Sequence, residues 1–290
     1  MSDTSESETL FATVKPYRLR LAFTYGVTLL ENVFEVLYPF TLGIAINGLI
    51  EGEGWQAVMP FAAIWFAHIV TATFRQMYDT RLFARIYAHV ASNFIVRQRR
   101  GGTSTSEVAA RSAMAREAID FFEWEIPASV TAIIGLFGGI IMLFFYDTLS
   151  GAAMAVVMVP IFLLYFLYGR KSLQLTEKLN NRQEREVLAI EDAGRKRVSM
   201  HFKALAKWRV FLSDAQAKTW GLADVFLFAA IMFILFRLTS DPGVRAGDVF
   251  AGLAYALNVS TALDEAPIVV EQFSRLVDIR RRVDQGGSEE

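Results

Sequence analysis

Six runs of this chain are long and apolar enough to cross a bilayer, and that constrains the fold more than any other feature of the sequence. A hydrocarbon core about 30 Å thick takes roughly 20 mostly apolar residues as a helix. By that criterion the expected spans are about Leu21–Leu49, Trp55–Phe74, Ile126–Phe145, Leu149–Leu167, Gly221–Leu238 and Val249–Val270. The second is the weakest, because His68 and several threonines dilute it. Composition agrees: 53% of residues are hydrophobic and the mean hydropathy is +0.33, where a soluble domain holds ~45–50% apolar residues. The fold class expected is an all-α, polytopic membrane protein.

Lys and Arg fix the orientation, since cytoplasmic loops collect them. Lys15, Arg18 and Arg20 precede the first span, and Arg75, Arg81, Arg85, Arg97, Arg99 and Arg100 follow the second. A further basic run extends from Arg170 and Lys171 to Arg209 and Lys218, and Arg275, Arg280, Arg281 and Arg282 follow the sixth span. The loops of the other side, EGEGW, YDTLSG and TSDPGVRAGD, hold only Arg245, with Arg237 close enough to snorkel. Both termini are therefore expected in the cytoplasm, with the chain in the inner (plasma) membrane. The first ten residues, MSDTSESETL, carry no cationic segment and read as a disordered tail rather than a signal peptide. The expected domains are a tail over 1–14, a six-helix membrane domain over 15–284 and a second tail over 285–290.

Two polar stretches, Arg75–Glu125 and Arg170–Trp220, are too long and too periodic to be loops. In the second, Leu175, Leu179, Val187, Leu188, Val198, Phe202, Leu205 and Trp208 recur at near-helical spacing. Each stretch is expected to be a helix leaving the membrane, a short turn with a small helix, and a helix returning. The first would break at Gly101-Gly102, with Ser104 and Glu107 forming a capping box, and the second at Asn180-Asn181 or Gly194.

This layout resembles the six-helix membrane domain of ABC exporters over roughly Pro16 to Val283, and four local motifs carry the likeness. KPYRLRLAF is similar to the elbow leading into helix one. The run Tyr38 to Asn47 is similar to a P-x-x-x-G-x-x-I-D segment, with Asn47 where Asp is usual. Thr105-Ser106-Glu107-Val108-Ala109-Ala110-Arg111 resembles T-G-E-L-x-x-R at the first coupling helix, with Ser106 in place of Gly. Gly243 to Val249 is similar to the L-T-x-G-x-L-V lead into helix six. The resemblance implies a homodimer and two short helices, near Thr105–Arg111 and Asn181–Gly194, that dock on an ATPase. Thr105, Glu107, Arg111, Arg185 and Glu191 are the coupling candidates.

The departures bear on mechanism. No G-x-x-x-x-G-K-[ST] loop occurs in these residues, so no backbone cradle for nucleotide phosphates is encoded in them. Gly169-Arg170-Lys171-Ser172 and Leu212-Ser213-Asp214-Ala215-Gln216 mimic nucleotide-binding motifs without the surroundings such motifs need. An ATPase would have to act in trans, and the chain itself is not expected to be an enzyme. The net charge of -1 gives no field for nucleic acid. Zero cysteines exclude disulfides and thiolate metal sites, and His68, His89 and His201 lack metal-ligand spacing, so no metal and no cofactor is expected.

Candidate transport residues come from polar positions inside the spans. Thr24, Thr28, Glu31, Glu35 and Tyr38 share one face of the first span. At 1.5 Å per residue from Arg20, Glu31 lies ~16 Å in and Glu35 ~22 Å in. An ionised carboxylate facing lipid costs roughly 2.5–3.5 kcal/mol on insertion scales, so this face must line a cavity or meet a partner. The last span offers Asn258, Thr261 (or Ala262) and Glu265, with Asp264 beside them and Arg75 of the second span as a counter-charge. The bland alternative is that these acids pair with basic groups or wet a shared vestibule. Three functions remain open: the membrane subunit of a split exporter for a cationic or amphipathic substrate, a proton-coupled transporter independent of ATP, and a non-transporting scaffold.

Overall fold

The computed structural model describes residues 15–100, 116, 119–183, 186 and 194–264, and among these every regular element is helical. After a short turn at Lys15–Tyr17 come α1 (Arg18–Ile50) and, past a 3-10 turn at Gly54–Val58, α2 (Met59–Arg100). A π-helical turn at Phe121–Glu125 opens into α3 (Ile126–Tyr146), followed by α4 (Thr148–Gln183) and α5 (Arg195–Ser240). The sixth helix, α6, covers 246–264. Five of these helices are long and apolar enough to cross a membrane. The fold is all-α and polytopic.

Helix length explains the polar stretches. The 42 residues of α2 and 46 of α5 rise ~63 Å and ~69 Å, about twice a hydrocarbon core. The same helices that span therefore also run on as arms. The second break falls later than Asn180-Asn181, since α4 continues through both to Gln183. Gly194 stands just before α5 in an extended conformation (ψ 113°). Pro39 and Pro160 lie inside helices, whereas Pro60 is the second residue of α2. There its missing N–H costs nothing, because a first-turn donor has no intrahelical acceptor. The Gly101-Gly102 break, the Ser104–Glu107 capping box and Pro267 lie outside the described residues.

Two of the described reversals have a local cause. Between α1 and α2, Gly52 and Gly54 take φ of 85° and 69°, values a side chain would strain. The backbone of Glu51 and Glu53 closes on the Asn47 and Gly48 carbonyls at 2.9 Å each. Between α3 and α4, Asp147 caps α4 by accepting from the Ser150 N–H at 2.8 Å and its hydroxyl at 2.7 Å.

The packing is that of a protein turned toward lipid. Phe66, Phe145, Val159 and Phe236 are about 70% exposed (68%, 73%, 69% and 70%), while small and polar residues such as Thr24, Thr28, Asn32, Asn47 and Ser129 are buried. Lipid solvates the apolar surface, leaving close approach and hydrogen bonds to hold helices together. The described residues form two compact units, one within 1–143 and 242–290 and the other within 144–241. In the first, Leu21, Leu82, Phe83, Ile86, Val90 and Ile119 make a core. Further along, Gly139 of α3 sits so close to α6 that a Cβ there would lie 2.6 Å from Val259 Cγ2 and 3.2 Å from the Tyr255 carbonyl. In the second unit α4 packs on α5, and Arg237 lies 3.5 Å from Asp147 in the loop between α3 and α4.

Candidate functional site

The polar face of α1 divides its side chains between two uses. Some serve the helix itself: Thr28 donates to the Thr24 carbonyl at 3.1 Å and Asn32 to the Thr28 carbonyl at 2.8 Å. Both side chains belong to buried residues, and these bonds satisfy the Thr28 hydroxyl and one amide N–H of Asn32 within α1. The others reach across to α2 or into a cavity.

Across from α1, Arg75 of α2 grips Glu31 with two donors, Nε to one oxygen and Nη2 to the other at 3.3 Å. Its Nη1 donates to Asp79, one turn on, at 3.3 Å. His68 completes the cluster, with Nε2 3.5 Å from Glu31 and 4.0 Å from Glu35. Its Nδ1 shares a hydrogen bond with the Tyr38 hydroxyl. A forked guanidinium suits this place, because it pairs with two carboxylates while remaining a weakly hydrated cation. The rings of Phe61 and Trp65 (centroids 5.1 Å apart) lie beside Tyr38, at 6.2 and 5.9 Å.

On its other side α1 bounds a cavity of about 370 Å³ shared with α3 and α6. Asn32, Glu35, Val36, Tyr38 and Pro39 line it from α1, Thr131, Ala132, Ile134, Gly135 and Gly139 from α3, and Tyr255, Asn258, Thr261 and Ala262 from α6. The volume falls in the range of small-molecule sites, ~300–1,000 Å³. Glu35 carries the only formal charge among these lining residues, and its side chain is 46% exposed. Tyr255 ties α6 to α1 by donating to the Val36 carbonyl at 2.6 Å.

The structure thus gathers Glu35, Tyr38, Asn258 and Thr261 around one cavity, and Glu31 with Arg75 beside it. Thr28 does not line this cavity, nor does Asp264, the last described residue of α6. Arg75, expected to balance Asp264, is engaged by Glu31 and Asp79. Glu265 and the coupling candidates Thr105, Glu107, Arg111, Arg185 and Glu191 lie outside the described residues. Sequence reading missed Asn32, Thr131, Tyr255, Asp79 and the place of His68. His68 and Asp79 were findable: one is a titratable residue inside a span, the other sits four residues from an arginine.

A second polar constellation joins the opposite end of α1 to α6. Asn47 Oδ1 accepts from the Gly247 N–H at 2.7 Å, and its Nδ2 donates to Asp248 at 3.0 Å. Arg245 reaches Asp248 at 3.3 Å and Glu51 at 3.5 Å. The hydrogen bond to Asp248, with both carboxylates nearby, holds the guanidinium even more firmly protonated than usual. The backbones nearly touch here, since a Cβ on Gly43 would lie 2.7 Å from the Gly247 carbonyl oxygen. Among the described residues no group of His, Asp and Glu could hold a metal ion.

A search of curated proteins finds no match to the sequence. A family model described as ABC transporter transmembrane region matches residues 10–247, which takes in α1 through α5 and the Asn47 partner Gly247. That match covers most of the 290 residues and agrees with the all-α polytopic fold, so the chain belongs to the ABC transporter transmembrane region family.

Proposed function

We propose that this membrane component of an ABC-type transporter works as a homodimer driven by a separately encoded ATPase, in the plasma membrane with both termini cytoplasmic. Its substrate path runs along the cavity between α1, α3 and α6. The observation that carries the proposal is that cavity: seven polar or charged side chains, Asn32, Glu35, Tyr38, Thr131, Tyr255, Asn258 and Thr261, line it. Intramembrane polar groups are costly, and their convergence on a space large enough for a small molecule supports a path rather than a packing accident. The arms of α2, α4 and α5 supply the lever that a nucleotide-driven ATPase would push, with Thr105, Glu107, Arg111, Arg185 and Glu191 as the coupling residues. The test is ATP-dependent substrate flux in vesicles prepared from the native membrane. Glu35→Gln should lower that flux several-fold while the protein level holds, and unchanged flux would remove the cavity from the path.

A second reading draws on the cluster of Glu31, Glu35, His68, Arg75 and Tyr38. Titratable groups in contact inside spans are the parts of a proton relay, which favours coupling to a proton gradient instead of ATP. The same vesicles separate the two: flux that needs a proton gradient and survives complete removal of ATP supports the second reading against the first.

A further inference from the structure

We propose that the arms of α4 and α5 form a binding surface for the phosphate groups of anionic lipids in the inner leaflet, with Arg170, Lys171 and Lys218 at headgroup level. The proposal goes beyond transport, because it assigns a lipid partner to helices that do not line the cavity. It shares with the reading above only the cytoplasmic placement of these arms.

Charge is the first argument. The stretches 170–183 and 195–218 hold eleven lysines and arginines against two acids, Glu177 and Asp214. The connection 184–193 reverses the balance, with four acids against Arg185. The stems that leave the membrane are thus the basic part of this hairpin, and basic residues next to a span draw anionic headgroups.

Depth decides which of these cations a bilayer reaches. α4 starts at Thr148 and α5 ends at Ser240. Arg170 and Lys218 each stand ~33 Å along their helix from those ends, just past a hydrocarbon core about 30 Å thick. Trp220, 40% exposed, stands between Lys218 and the apolar run, the level at which tryptophans anchor spans. Lys178 and Arg209 follow ~12 Å further out, near the reach of a surface potential that decays over ~8–10 Å. Lys203 and Lys196 stand ~22 Å and ~33 Å beyond Lys218, out of that reach.

Availability is the third argument. Arg170, Lys171, Lys178, Arg209 and Lys218 are exposed. Among the described residues Arg75, Arg237 and Arg245 each meet a carboxylate, whereas none is paired with these five. Aromatic rings hold two of them instead: the Arg170 guanidinium lies 4.4 Å from the Phe166 centroid and Lys178 Nζ 5.2 Å from that of Trp208. A cation over a ring face keeps N–H donors free for an anion. The Lys178–Trp208 contact also crosses from α4 to α5, so the two arms present one surface. A lipid phosphate supplies what is missing, an oxygen pair for the fork of Arg170 and a point-charge partner for Lys171 and Lys218. An ATPase would approach the arms from their far end, and headgroups approach them from this one.

The experiment is native mass spectrometry of the full chain in detergent, titrated with phosphatidylglycerol and separately with phosphatidylcholine of the same acyl chains. The wild type should bind the first phosphatidylglycerol several-fold more tightly than the first phosphatidylcholine. Lys171→Gln with Lys218→Gln should weaken phosphatidylglycerol binding by roughly tenfold or more, since a cation near the surface contributes about fivefold. Phosphatidylcholine binding and Tm should stay as in the wild type, and Lys171→Arg with Lys218→Arg should keep the full affinity. Lys196→Gln with Lys203→Gln removes the same charge from the far part of α5 and should bind as the wild type does. Equal affinity for the two lipids, no loss in the near pair, or equal loss in the near and far pairs would each overturn the proposal. So would displacement of phosphatidylglycerol by millimolar glycerol phosphate, which would assign the surface to soluble phosphates, or by a polyglutamate peptide, which would assign it to an acidic protein. None of these measurements uses ATP or a transported substrate, so the result stands or falls apart from the transport reading.

Discussion

At the scale of single residues, two side chains explain their own identity. Arg75 stands between Glu31 and Asp79, and replacing it would strand two carboxylates within the spans. Removing one partner of a buried pair costs about 3–5 kcal/mol, mostly the penalty on the charge left behind. Arg75→Met should therefore lower detergent-solubilised stability by an amount of that order, read as a fall in Tm. Adding Glu31→Gln should recover part of the loss, and strict additivity of the two changes would show that they are not coupled. Asn47 is the second case. The related motif has Asp at this position, but here Asp248 lies 3.0 Å from the Asn47 Nδ2. A carboxylate at 47 could still accept from Gly247, yet it would face Asp248 with no proton to give. Asn47→Asp should cost ~1–3 kcal/mol, and the swap Asn47→Asp with Asp248→Asn should restore the Tm. No recovery in the swap would mean that the contact does not govern the choice of Asn.

At the scale of elements, helix contacts here depend on what is small. Gly139→Leu would drive a side chain into Val259 and the Tyr255 carbonyl, separating α3 from α6 across the floor of the cavity. Overpacking of this kind costs about 1–3 kcal/mol, so the variant should melt earlier. A variant with wild-type Tm would place α3 elsewhere. These contacts also show what was legible beforehand. Five of the expected spans followed from apolar runs, because a bilayer demands length and grease, and the cavity-lining Glu35, Tyr38, Asn258 and Thr261 were singled out by the cost of polar atoms in lipid. The pairing of α1 with α2 through Arg75, and of α1 with α6 through Asn47, did not follow. Nothing in a one-dimensional pattern says which of two helices a polar face will meet. His68 shows the cost most plainly: it counted against its span, although an imidazole inside a span is better explained by the carboxylates it touches. Asn180-Asn181 misled for a related reason. Asparagines favour breaks in isolated chains, but α4 packs on α5 and continues through them.

At the scale of the whole molecule, the account turns on the arms. Helices that rise ~60–70 Å run far beyond what a bilayer requires, and the excess places polar helix where a soluble partner can reach it. The assembly proposed is a dimer, because closed twofold assembly is the default for one chain type. The driving subunit should meet the sequence beyond the arms, where the coupling candidates fall. The decisive measurement is affinity purification of the full chain from its native membrane, followed by identification of what comes with it in stoichiometric amount. The account predicts a dimer of this chain carrying an ATPase, whose ATP hydrolysis falls when Thr105, Glu107 and Arg111 or Arg185 and Glu191 are replaced by alanine. A monomeric chain, or a stable complex without any ATPase, would contradict it.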